Sequence, residues 1–370
     1  MELKEYRFDE VTINFDKKRV PLSGAQREKR QGNFRYYGAQ GVIDHIDDFI
    51  FDGTYLLIAE DGENLKSKKQ NIAQVVEGQF WVNNHAHIVQ GNELCNTRYL
   101  CYLLNSMDLS GYVTGSAQPK LSQANLNAVT LFLPSITVQE RIVECLYLFD
   151  KKIAVNQKIN DNLAELLQTV YQERFGDVSA AGEQGKLLDI CFYSKDRVAV
   201  SELNTSTYFS TENMLPGKAG ATEAASLPTT PQTTACHNGD TLISNIRPYF
   251  KKIVYCNDEC GCSTDVLCFT PVQSKYAAYL FSTLYADKFF AFMVAGSKGT
   301  KMPRGDKQQI MSYPVALPSE EELKEFNALA LPVLAKIHSN KAENKRLSAT
   351  RDALLPKLMS GEIDVSDIQF

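Results

Sequence analysis

The chain has 370 residues, 44% of them hydrophobic, which exceeds the size at which a single core stops growing and predicts at least two domains. No run of 18 apolar residues is present, the charged N-terminus predicts no secretory signal, and nine cysteines without framework spacing favour a reducing cytoplasm over a disulfide-bonded scaffold. The formal net charge of −5 argues mildly against nucleic-acid binding, although a sum over the chain can hide a locally basic face.

The first half of the chain begins with strand signals and a basic stretch. Short apolar runs such as Tyr55–Ala59 lie between Gly and Asn turns, as is typical of β-strands. A short helix is predicted from Arg98 to Asn105. A Leu-Pro-Ser sequence then introduces a long helix, with Ser135 as its predicted N-cap. The basic stretch, which runs into Tyr36 and Tyr37, contains Lys17, Lys18, Arg19, Arg27, Lys29, Arg30 and Arg35.

The second half repeats this order. The first long helix is predicted to end near Phe175, and residues 179–185 are typical of a flexible connector. A strand at Thr241–Ser244 and a helix at Lys275–Leu284 precede a second Leu-Pro-Ser sequence and a second long helix. That helix is expected to stop at Pro356 or within a turn or two of it. Residues 204–235 are rich in Thr, Ser, Pro and Gly, and loops this long are usually functional or disordered.

Several short patterns recur at a nearly constant distance along the chain. Residues 83–89 match 263–269, residues 98–103 match 275–280, the loop 115–120 matches 296–301, and residues 133–135 match 317–319, at offsets of 180, 177, 181 and 184. Each match is weak alone, but their constant order indicates an internal duplication.

Both long helices carry apolar positions that recur every seven residues. In the first helix these seams follow Ile142, Leu146, Phe149, Ile153, Asn156, Asn160, Leu163, Leu167 and Val170; in the second they follow Leu323, Phe326, Ala330, Val333, Ile337, Asn340, Asn344, Leu347, Arg351 and Leu354. Asn156, Asn160, Asn340 and Asn344 all fall on seams, where a polar residue costs stability but fixes register. The pattern favours a coiled coil between the two helices; the alternative is two amphipathic helices packed on separate cores. The paired helices should run antiparallel if the globular part between them connects opposite ends.

This layout of globular part, long helix, globular part and long helix resembles the specificity subunits of type I restriction–modification systems. The family-like segments are residues 36–41 with 43–44, 51–53 through 59–62, 187–190, 210–214 and 354–363. The last string, Leu-Leu-Pro-Lys-Leu-Met-Ser-Gly-Glu-Ile, is the most specific. The first long helix departs from it, since it ends at Tyr171–Phe175 without the Pro-Lys-Leu ending.

The resemblance implies an α+β fold in which two similar target recognition domains, of mixed strands and short helices, are separated by two long antiparallel helices with pseudo-two-fold internal duplication. The expected parts are a first recognition domain at 1–136, a spacer helix at 137–176, a linker at 177–186, a second recognition domain at 187–318, a second spacer helix at 319–358 and a tail at 359–370. The two domains are then expected at opposite ends of the paired helices.

The resemblance also implies partners. Each recognition domain would read one half of a split site in double-stranded DNA, and the helices would dock two methyltransferase (modification) subunits, through which restriction subunits join. No membrane partner and no cofactor are expected, and the catalytic activities would lie on the partner subunits. The target sequence and the methylated base are not encoded in a form that one sequence reveals.

The candidate DNA-contacting residues lie in loops and in the basic stretch. The loops 115–120 and 296–301 are predicted to precede short helices, with Ser122 as an N-cap and Pro303 near a first helical position; backbone N–H groups beside a lysine suit a phosphate oxygen. Arginine can read guanine, and aromatic rings can pack on sugars or thymine methyls. The candidates are Lys29, Arg30, Arg35, Tyr36, Tyr37, Ser116, Lys120, Asn245, Arg247, Tyr249, Lys251, Lys298, Lys301 and Arg304. Each loop could instead be an ordinary solvated turn, and the basic stretch an exposed charged face.

Catalytic and metal sites are not indicated. The sequence contains no phosphate-binding loop of the Gly-x-x-x-x-Gly-Lys type and no methyltransferase-like Asn-Pro-Pro-aromatic string. Cys256, Cys260, Cys262 and Cys268 with His237 do not have paired Cys-x-x-Cys spacing, so buried free thiols are predicted rather than a zinc site. Two hypotheses follow: a sequence-specific DNA-binding subunit, or an interaction scaffold that uses the same helices without reading DNA.

Overall fold

The computed structural model describes residues 2–67, 70–115 and 118–365, and the chain divides into two compact units. Unit 1 comprises residues 1–153 and 345–370, and unit 2 comprises residues 154–344. The two long helices each contribute residues to both units. Among the described residues, no helix combines the length and apolar character that crossing a bilayer requires.

Unit 1 is built on a six-stranded sheet with the order β2-β7-β5-β6-β3-β4, beside a two-stranded sheet of β1 and β8. Its strands are β1 (Lys4–Arg7), β2 (Thr12–Asn14), β3 (Gln31–Gly38), β4 (Gly41–Ile46), β5 (Phe51–Ala59), β6 (Ala73–Val82), β7 (Ala86–Gly91) and β8 (Thr130–Leu133). Its short helices are α1 (Gly24–Glu28), α2 (Asn64–Ser67), α3 (Thr97–Ser106) and α4 (Gln123–Asn127), and the long helix α5 (Ile136–Phe175) begins in this unit. Within the six-stranded sheet β3 and β6 pair in parallel, and the other pairs are antiparallel.

Unit 2 contains two four-stranded sheets, β10-β17-β14-β15 and β11-β13-β16-β12, and a two-stranded sheet of β9 and β18. Its strands are β9 (Gln184–Lys186), β10 (Cys191–Tyr193), β11 (Arg197–Ala199), β12 (Tyr208–Phe209), β13 (Gln232–Cys236), β14 (Thr241–Ser244), β15 (Ile253–Tyr255), β16 (Cys260–Cys262), β17 (Val266–Pro271) and β18 (Pro314–Ala316). Its helices are α6 (Ala277–Tyr285), α7 (Asp287–Ala295), α8 (Lys307–Met311) and the first part of α9 (Glu320–Ser360).

The internal duplication is confirmed by topology. The order β2-β7-β5-β6 in unit 1 has the same connections as β10-β17-β14-β15 in unit 2. Each of these sheets is followed by a helix (α3 or α6), a short helix (α4 or α8), a strand that pairs with the first strand of its unit, and a long helix. We call this shared set of elements the frame. The units differ in what is inserted into the frame. Unit 1 has the hairpin β3–β4 between β2 and β5, whereas unit 2 has β11 to β13 between β10 and β14 and β16 between β15 and β17.

The long helices begin at Leu-Pro-Ser sequences in both units. Ser319 forms a capping box with Glu322: its hydroxyl accepts a hydrogen bond from the Glu322 N–H, and the Glu322 carboxylate accepts one from the Ser319 N–H at 2.7 Å. Helix α9 continues one turn beyond Pro356 and ends at Ser360, where Gly361 has a positive φ of 77°. A glycine in this conformation commonly terminates a helix.

Within unit 2 the two long helices run antiparallel, as the seams predict. The Asn156 side-chain amide donates to the Asn344 side-chain oxygen at 2.8 Å, and Asn340 donates to Asn160 at 2.8 Å. The residue numbers of the bonded pairs rise along α5 and fall along α9, so the two helices run in opposite directions. Asn156 and Asn340 are almost completely buried, so these hydrogen bonds to the opposite helix offset the cost of removing the amides from water.

Each unit has its own apolar core. In unit 1 the buried side chains Ile142 and Leu146 of α5 pack with the frame, and in unit 2 Phe326 of α9 packs with Phe175 and Tyr279. The ring centroids of Phe175 lie 5.1 Å from Tyr279 and 5.5 Å from Phe326, with edge-to-face geometry. Burial of the long-helix seams in these cores fixes the frame, and the frame in turn positions the loops considered next.

Candidate nucleic-acid interface

A pair of crossing loops occupies the same place in each frame. In unit 1, Lys120 exchanges two backbone hydrogen bonds of 2.8 Å with Thr114, Gly62 donates to the Pro119 carbonyl, and Leu121 donates to the Glu60 carbonyl. Unit 2 has a counterpart of each contact. Arg304 exchanges two backbone hydrogen bonds of 2.9 Å with Lys298, as Lys120 does with Thr114. The Arg247 N–H donates to the Pro303 carbonyl at 2.8 Å, as Gly62 does to Pro119, and the Gly305 N–H donates to the Asn245 carbonyl at 3.3 Å, as Leu121 does to Glu60. The counterpart of Lys120 is therefore Arg304.

This correspondence corrects the sequence match at the loop. We expected the loop 115–120 to repeat as 296–301, which would pair Lys120 with Lys301 at an offset of 181. The hydrogen bonds instead give an offset of 184 (304 minus 120), the same as between Ser135 and Ser319. The Gly-Ser-Lys residues of the two loops are similar in type but do not occupy equivalent positions. The loops close by backbone hydrogen bonds, which do not depend on those side chains.

The second correction concerns the helix after the loop in unit 2. Pro303 does not lie at its first position. Helix α8 begins at Lys307, and Asp306 is the N-cap, since its carboxylate accepts hydrogen bonds from the N–H groups of Gln308 and Gln309. In unit 1 the predicted N-cap is confirmed: the Ser122 hydroxyl accepts from the Asn125 N–H.

The basic side chains of these loops are exposed and held by carboxylates. Lys120 lies 3.3 Å from Glu60, Arg304 lies 3.2 Å from Asp265, and Lys298 lies 2.6 Å from Asp306. Lys301 is exposed at the tip of the unit 2 loop. Ion pairs between exposed side chains contribute little to stability, so these cations can exchange a carboxylate for another anion at small cost. Ser116 lies outside the described residues.

The turn after β14 in unit 2 adds strained and aromatic residues to the loop crossing. The non-glycine residues with positive φ in the described chain are Lys218, Arg247 and Lys251, at 65°, 51° and 51°. Arg247 and Lys251 flank a 3-10 turn, Pro248–Phe250, that exposes half of Tyr249. Such strained positions cluster at functional sites.

Backbone contacts hold this turn in place. The Lys218 N–H donates to the Lys251 carbonyl at 2.9 Å, and both lysine side chains reach the Asp287 carboxylate at 2.8 Å. Hydrogen bonds from these two ammonium groups lower the pKa of Asp287 to about 2. The turn is therefore fixed at its base while Tyr249 remains at the surface.

Unpartnered polar atoms lie beneath this surface. Among the described residues, the buried atoms without a hydrogen-bond partner include Arg247 Nε, Asn245 Oδ1 and Gln309 Oε1. Asn245 itself is buried, and its side-chain oxygen adjoins Gly305. Buried polar groups are nearly always hydrogen-bonded. Several unpartnered atoms beneath one surface therefore indicate a site that a polar ligand or water would complete.

The side chains of the predicted basic stretch in unit 1 are less free to contact a nucleic acid than the exposed loop cations. Arg30 lies 2.9 Å from Asp47 and stacks on Trp81, and Arg35 donates to the Glu77 carbonyl at 2.6 Å. Tyr36 and Tyr37 are only 0% and 4% exposed. These two tyrosines belong to the core, because β3 is an interior strand of the six-stranded sheet, so they cannot stack on a nucleotide in this conformation. Lys29 is exposed at the end of α1.

A buried ionic network in unit 1 supports the loop from below, and sequence reasoning did not identify its members as partners. His87 Nδ1 lies 2.6 Å from the Asp16 carboxylate and Nε2 lies 2.9 Å from the Leu121 carbonyl. Both neighbours are acceptors, which favours an imidazolium that donates from both nitrogens. Burial alone would lower the pKa of His87, but its hydrogen bonds to Asp16 and Leu121 outweigh burial and raise it. Arg19 joins Asp16 to Glu60, the residue that also holds Lys120.

No arrangement for catalysis by metal or thiol is evident among the described residues. No group of three or more His, Cys, Asp or Glu side chains there is placed to hold a metal ion. All nine cysteines are free thiols, and seven of them are buried.

Known proteins resemble this chain in sequence and fold. Residues 2–165 match the type I restriction modification DNA specificity domain. A putative type I restriction enzyme specificity subunit of Haemophilus influenzae is 35% identical over 138 residues, which are 37% of this chain and 35% of that protein. The EcoprrI specificity subunit of Escherichia coli is 30% identical over 125 residues, 33% of this chain and 30% of that protein. The chain thus spans about a third of the length of these two curated relatives.

A solved structure extends the likeness to the whole fold. The S subunit of a type I restriction–modification system from M. genitalium superposes with a TM-score of 0.55, at 14% identity, over 97% of this chain and 96% of that one. The fold is therefore shared across both units. The match over residues 2–165 and the named relatives make this chain similar in sequence to type I restriction–modification specificity subunits.

Proposed function

We propose that this chain is the non-catalytic DNA-recognition subunit of a type I restriction–modification complex and that it reads a bipartite target in double-stranded DNA. The observation that carries the proposal is the duplicated loop crossing, which presents Lys120 in unit 1 and Arg304 in unit 2 through the same backbone hydrogen bonds. A protein that reads two half-sites needs one such contact point in each reader. In this proposal residues 1–136 and 187–318 are the recognition domains and residues 137–176 and 319–358 the spacers, with a linker at 177–186 and a tail at 359–370.

The loop cations would supply the sequence-independent part of binding. Lys120, Lys298, Lys301 and Arg304 are exposed. Each would exchange its carboxylate or water neighbours for a phosphate oxygen and release condensed counterions from the DNA. Such contacts position a protein on the duplex but carry no base information.

Base reading would fall to the parts in which the two units differ. In unit 2 we assign it to the strained turn, where Arg247 has an unpartnered Nε, Tyr249 is exposed, and Asn245 and Lys251 lie on either side. In unit 1 we assign it to the surface near Lys29, Arg30 and Arg35, beside the β3–β4 hairpin. Arginine and asparagine can form bidentate contacts with guanine and adenine in the major groove.

The long helices would dock two modification subunits, through which restriction subunits join. In unit 2, α5 exposes the apolar side chains Val155, Ile159 and Leu166. Their spacing of four and then seven residues places them on one face of the helix. Exposed apolar stripes of this kind mark protein-binding surfaces.

With DNA as the ligand and free thiols throughout, we place the protein in the cytoplasm.

A selection experiment tests the proposal. The chain is assembled with its modification subunits and used to select from a pool of random DNA duplexes, and the bound fraction is sequenced. Enrichment of two short blocks separated by an unread gap is expected. The alternative is a scaffold that joins proteins without reading DNA; a stable complex that enriches no sequence would establish the scaffold and end the proposal.

A matched pair of variants checks the docking surface. Val155→Glu with Ile159→Glu should weaken binding of the modification subunits at least tenfold while leaving the chain folded, because both side chains are exposed. Lys336→Glu on the exposed side of α9 serves as the control. Equal binding by the double variant and the control would show that this face of α5 is not the docking surface.

A further inference from the structure

Five of the nine cysteines lie in one buried cluster of unit 2 that the proposed function does not use. They are Cys236, Cys256, Cys260, Cys262 and Cys268, and they pack with Met214, Leu242 and Val266. The remaining four cysteines are distributed through the rest of the chain. Such a concentration of thiols brings sulfur atoms within reach of one another.

Within this cluster the thiols of Cys256 and Cys260 lie close together. Cys256 directly follows β15 and Cys260 begins β16, so a turn of three residues, 257–259, joins them. The two Sγ atoms lie 3.6 Å apart, and the Cys260 thiol is oriented toward Cys256. A disulfide requires about 2.05 Å. The missing distance is small enough for side-chain rotation and a slight closure of the turn to supply it.

The surroundings of the pair allow a small reagent to reach it. Cys256 and Cys260 are 3% and 6% exposed, whereas Asp258 and Glu259 in the turn between them are fully at the surface. A thiol beneath a short exposed turn becomes accessible to a molecule little larger than water when the turn opens locally.

The two thiols also differ in their readiness to ionise. Contacts with the thiols of Cys236 and Cys256 lower the pKa of Cys260, whereas the contact with Cys260 and complete burial raise the pKa of Cys256. The thiolate is the reactive form of cysteine. Cys260 is also the more exposed of the two thiols, so we take it as the nucleophile of the pair and Cys256 as the thiol that resolves it.

We propose that Cys256 and Cys260 form a reversible disulfide when the protein meets hydrogen peroxide, which makes this turn a redox-modification site. The Cys260 thiolate attacks the peroxide oxygen, the O–O bond breaks, and water leaves after protonation, which gives a sulfenic acid. The Cys256 sulfur then attacks the Cys260 sulfur, the S–O bond breaks, and a second water leaves. Two thiols lose two electrons and two protons, and the peroxide is reduced to two waters.

The modified turn is connected to two histidines of unit 2. The Glu259 carboxylate lies 2.6 Å from His237, and the Asp258 carboxylate lies 3.6 Å from His338 on α9. The disulfide would tie the end of β15 to the start of β16 and restrict the motion of these two carboxylates. Its direct consequence is a more rigid 257–259 turn.

The cluster also supplies a competing partner, which makes the test specific. Cys236 lies directly opposite Cys260 in the antiparallel pairing of β13 with β16. If geometry alone across the ladder decided the outcome, Cys236 and not Cys256 would be linked to Cys260. The serine variants of these two residues separate the two results.

Peptide mapping of the intact chain tests the proposal. The chain is treated with a small excess of hydrogen peroxide, its free thiols are blocked, and it is cleaved after Glu259 and at lysines. We expect peptides 253–259 and 260–275 joined, lighter by two hydrogens than their sum and separated by dithiothreitol. The link should persist in Cys236→Ser and Cys262→Ser and be lost in Cys256→Ser and Cys260→Ser.

Two results would overturn this assignment. A link from the peptide that contains Cys236 to peptide 260–275, lost in Cys236→Ser and retained in Cys256→Ser, would assign the disulfide to the ladder pair. Oxidation of Cys260 to a sulfinic acid in the wild-type chain, with Cys256 still alkylated, would show that Cys256 does not resolve it. Peptide 260–275 also contains Cys262 and Cys268, so fragmentation of the joined wild-type peptides locates the link at Cys260, and a variant that fails to fold leaves the test intact. Amide exchange at residues 257–259 should slow on oxidation, as a second readout.

Discussion

The two units share a frame and differ in what that frame carries. Four strands with the same connections, β2-β7-β5-β6 and β10-β17-β14-β15, are followed in each unit by matching helices: α3 and α6, α4 and α8, and α5 and α9. Unit 1 inserts the hairpin β3–β4, which extends its sheet, whereas unit 2 inserts β11 to β13 and β16, which form a second sheet. The frame is constrained by its packing on the long helices, and the insertions are free to diverge.

The two frames also fill one equivalent buried position with different side chains. Where unit 1 has buried His87 bonded to Asp16, the matching strand of unit 2 has buried Leu267. A buried ion pair is destabilising to break but can be replaced by apolar packing without loss. The comparison teaches that backbone positions were kept after duplication while the chemistry beneath them changed.

The largest expected effect comes from removing equivalent core anchors of the long helices. Phe326→Ala in unit 2 should cost about 3–5 kcal/mol and Ile142→Ala in unit 1 about 2–5 kcal/mol, because each side chain is completely buried. Ile142 and Phe326 occupy matching positions, 184 residues apart. Hydrogen exchange followed by mass spectrometry should show each loss of protection concentrated in the unit that carries the change.

Lys324→Ala, beside Phe326 on the exposed side of α9, is the control and should change stability by no more than about 0.5 kcal/mol. If Phe326→Ala and Ile142→Ala lowered protection in both units equally, the units would unfold as one body, and the comparison of two independent frames would be wrong.

A smaller effect is expected from giving unit 1 the apolar residue of unit 2. His87→Leu leaves the Asp16 carboxylate buried without its main partner and should cost about 3 kcal/mol. Because hydrogen bonding raises the folded-state pKa of His87 above its ordinary value of 6.5, its stabilisation is complete below pH 6.5 and is lost as pH rises through the folded-state pKa. The difference between wild type and variant should therefore shrink at high pH.

Urea unfolding at several pH values measures this dependence. The exposed His45, changed to leucine, is the control and should show no such difference. A destabilisation by His87→Leu that grew with rising pH would contradict the doubly donating, charged His87.

Sequence patterns predicted what repeats over many residues. The heptad seams predicted the long helices, and the asparagines on the seams predicted a fixed register. The structure then pairs Asn156 with Asn344 and Asn160 with Asn340. The Leu-Pro-Ser sequences located the duplication. These signals are local in sequence or periodic, so a single sequence contains them.

What the sequence did not reveal depends on long-range pairing. Tyr36 and Tyr37 follow a basic stretch and look exposed, but β3 pairs with both β4 and β6 and draws them into the core. Asp16 and His87 are 71 residues apart in sequence. The equivalence of Lys120 with Arg304 rests on backbone hydrogen bonds that side-chain similarity cannot report.

The loop cations give the next comparison, with effects of about one contact each. In the assembled complex, Lys120→Ala and Arg304→Ala should weaken DNA binding about equally for all sequences and reduce the slope of log Kd against log salt by about 1. Lys301→Ala should act in the same direction. Binding titrations at several salt concentrations measure the slopes, with Lys324→Ala as the control. A change in preferred sequence would assign the altered residue to base reading instead.

The central claim is that each unit reads its own half of the target, and an exchange of readers tests it most directly. Residues 187–318 are replaced by the matching domain of a related specificity subunit, and the complex is used to select from random DNA duplexes. Helices of 40 and 41 residues are each about 60 Å long, enough to separate two contact points on the duplex by more than one turn. We predict that one block of the selected sequence changes, while the other block and the gap stay as they were. A continuous recognition sequence, or a change in both blocks together, would contradict the account.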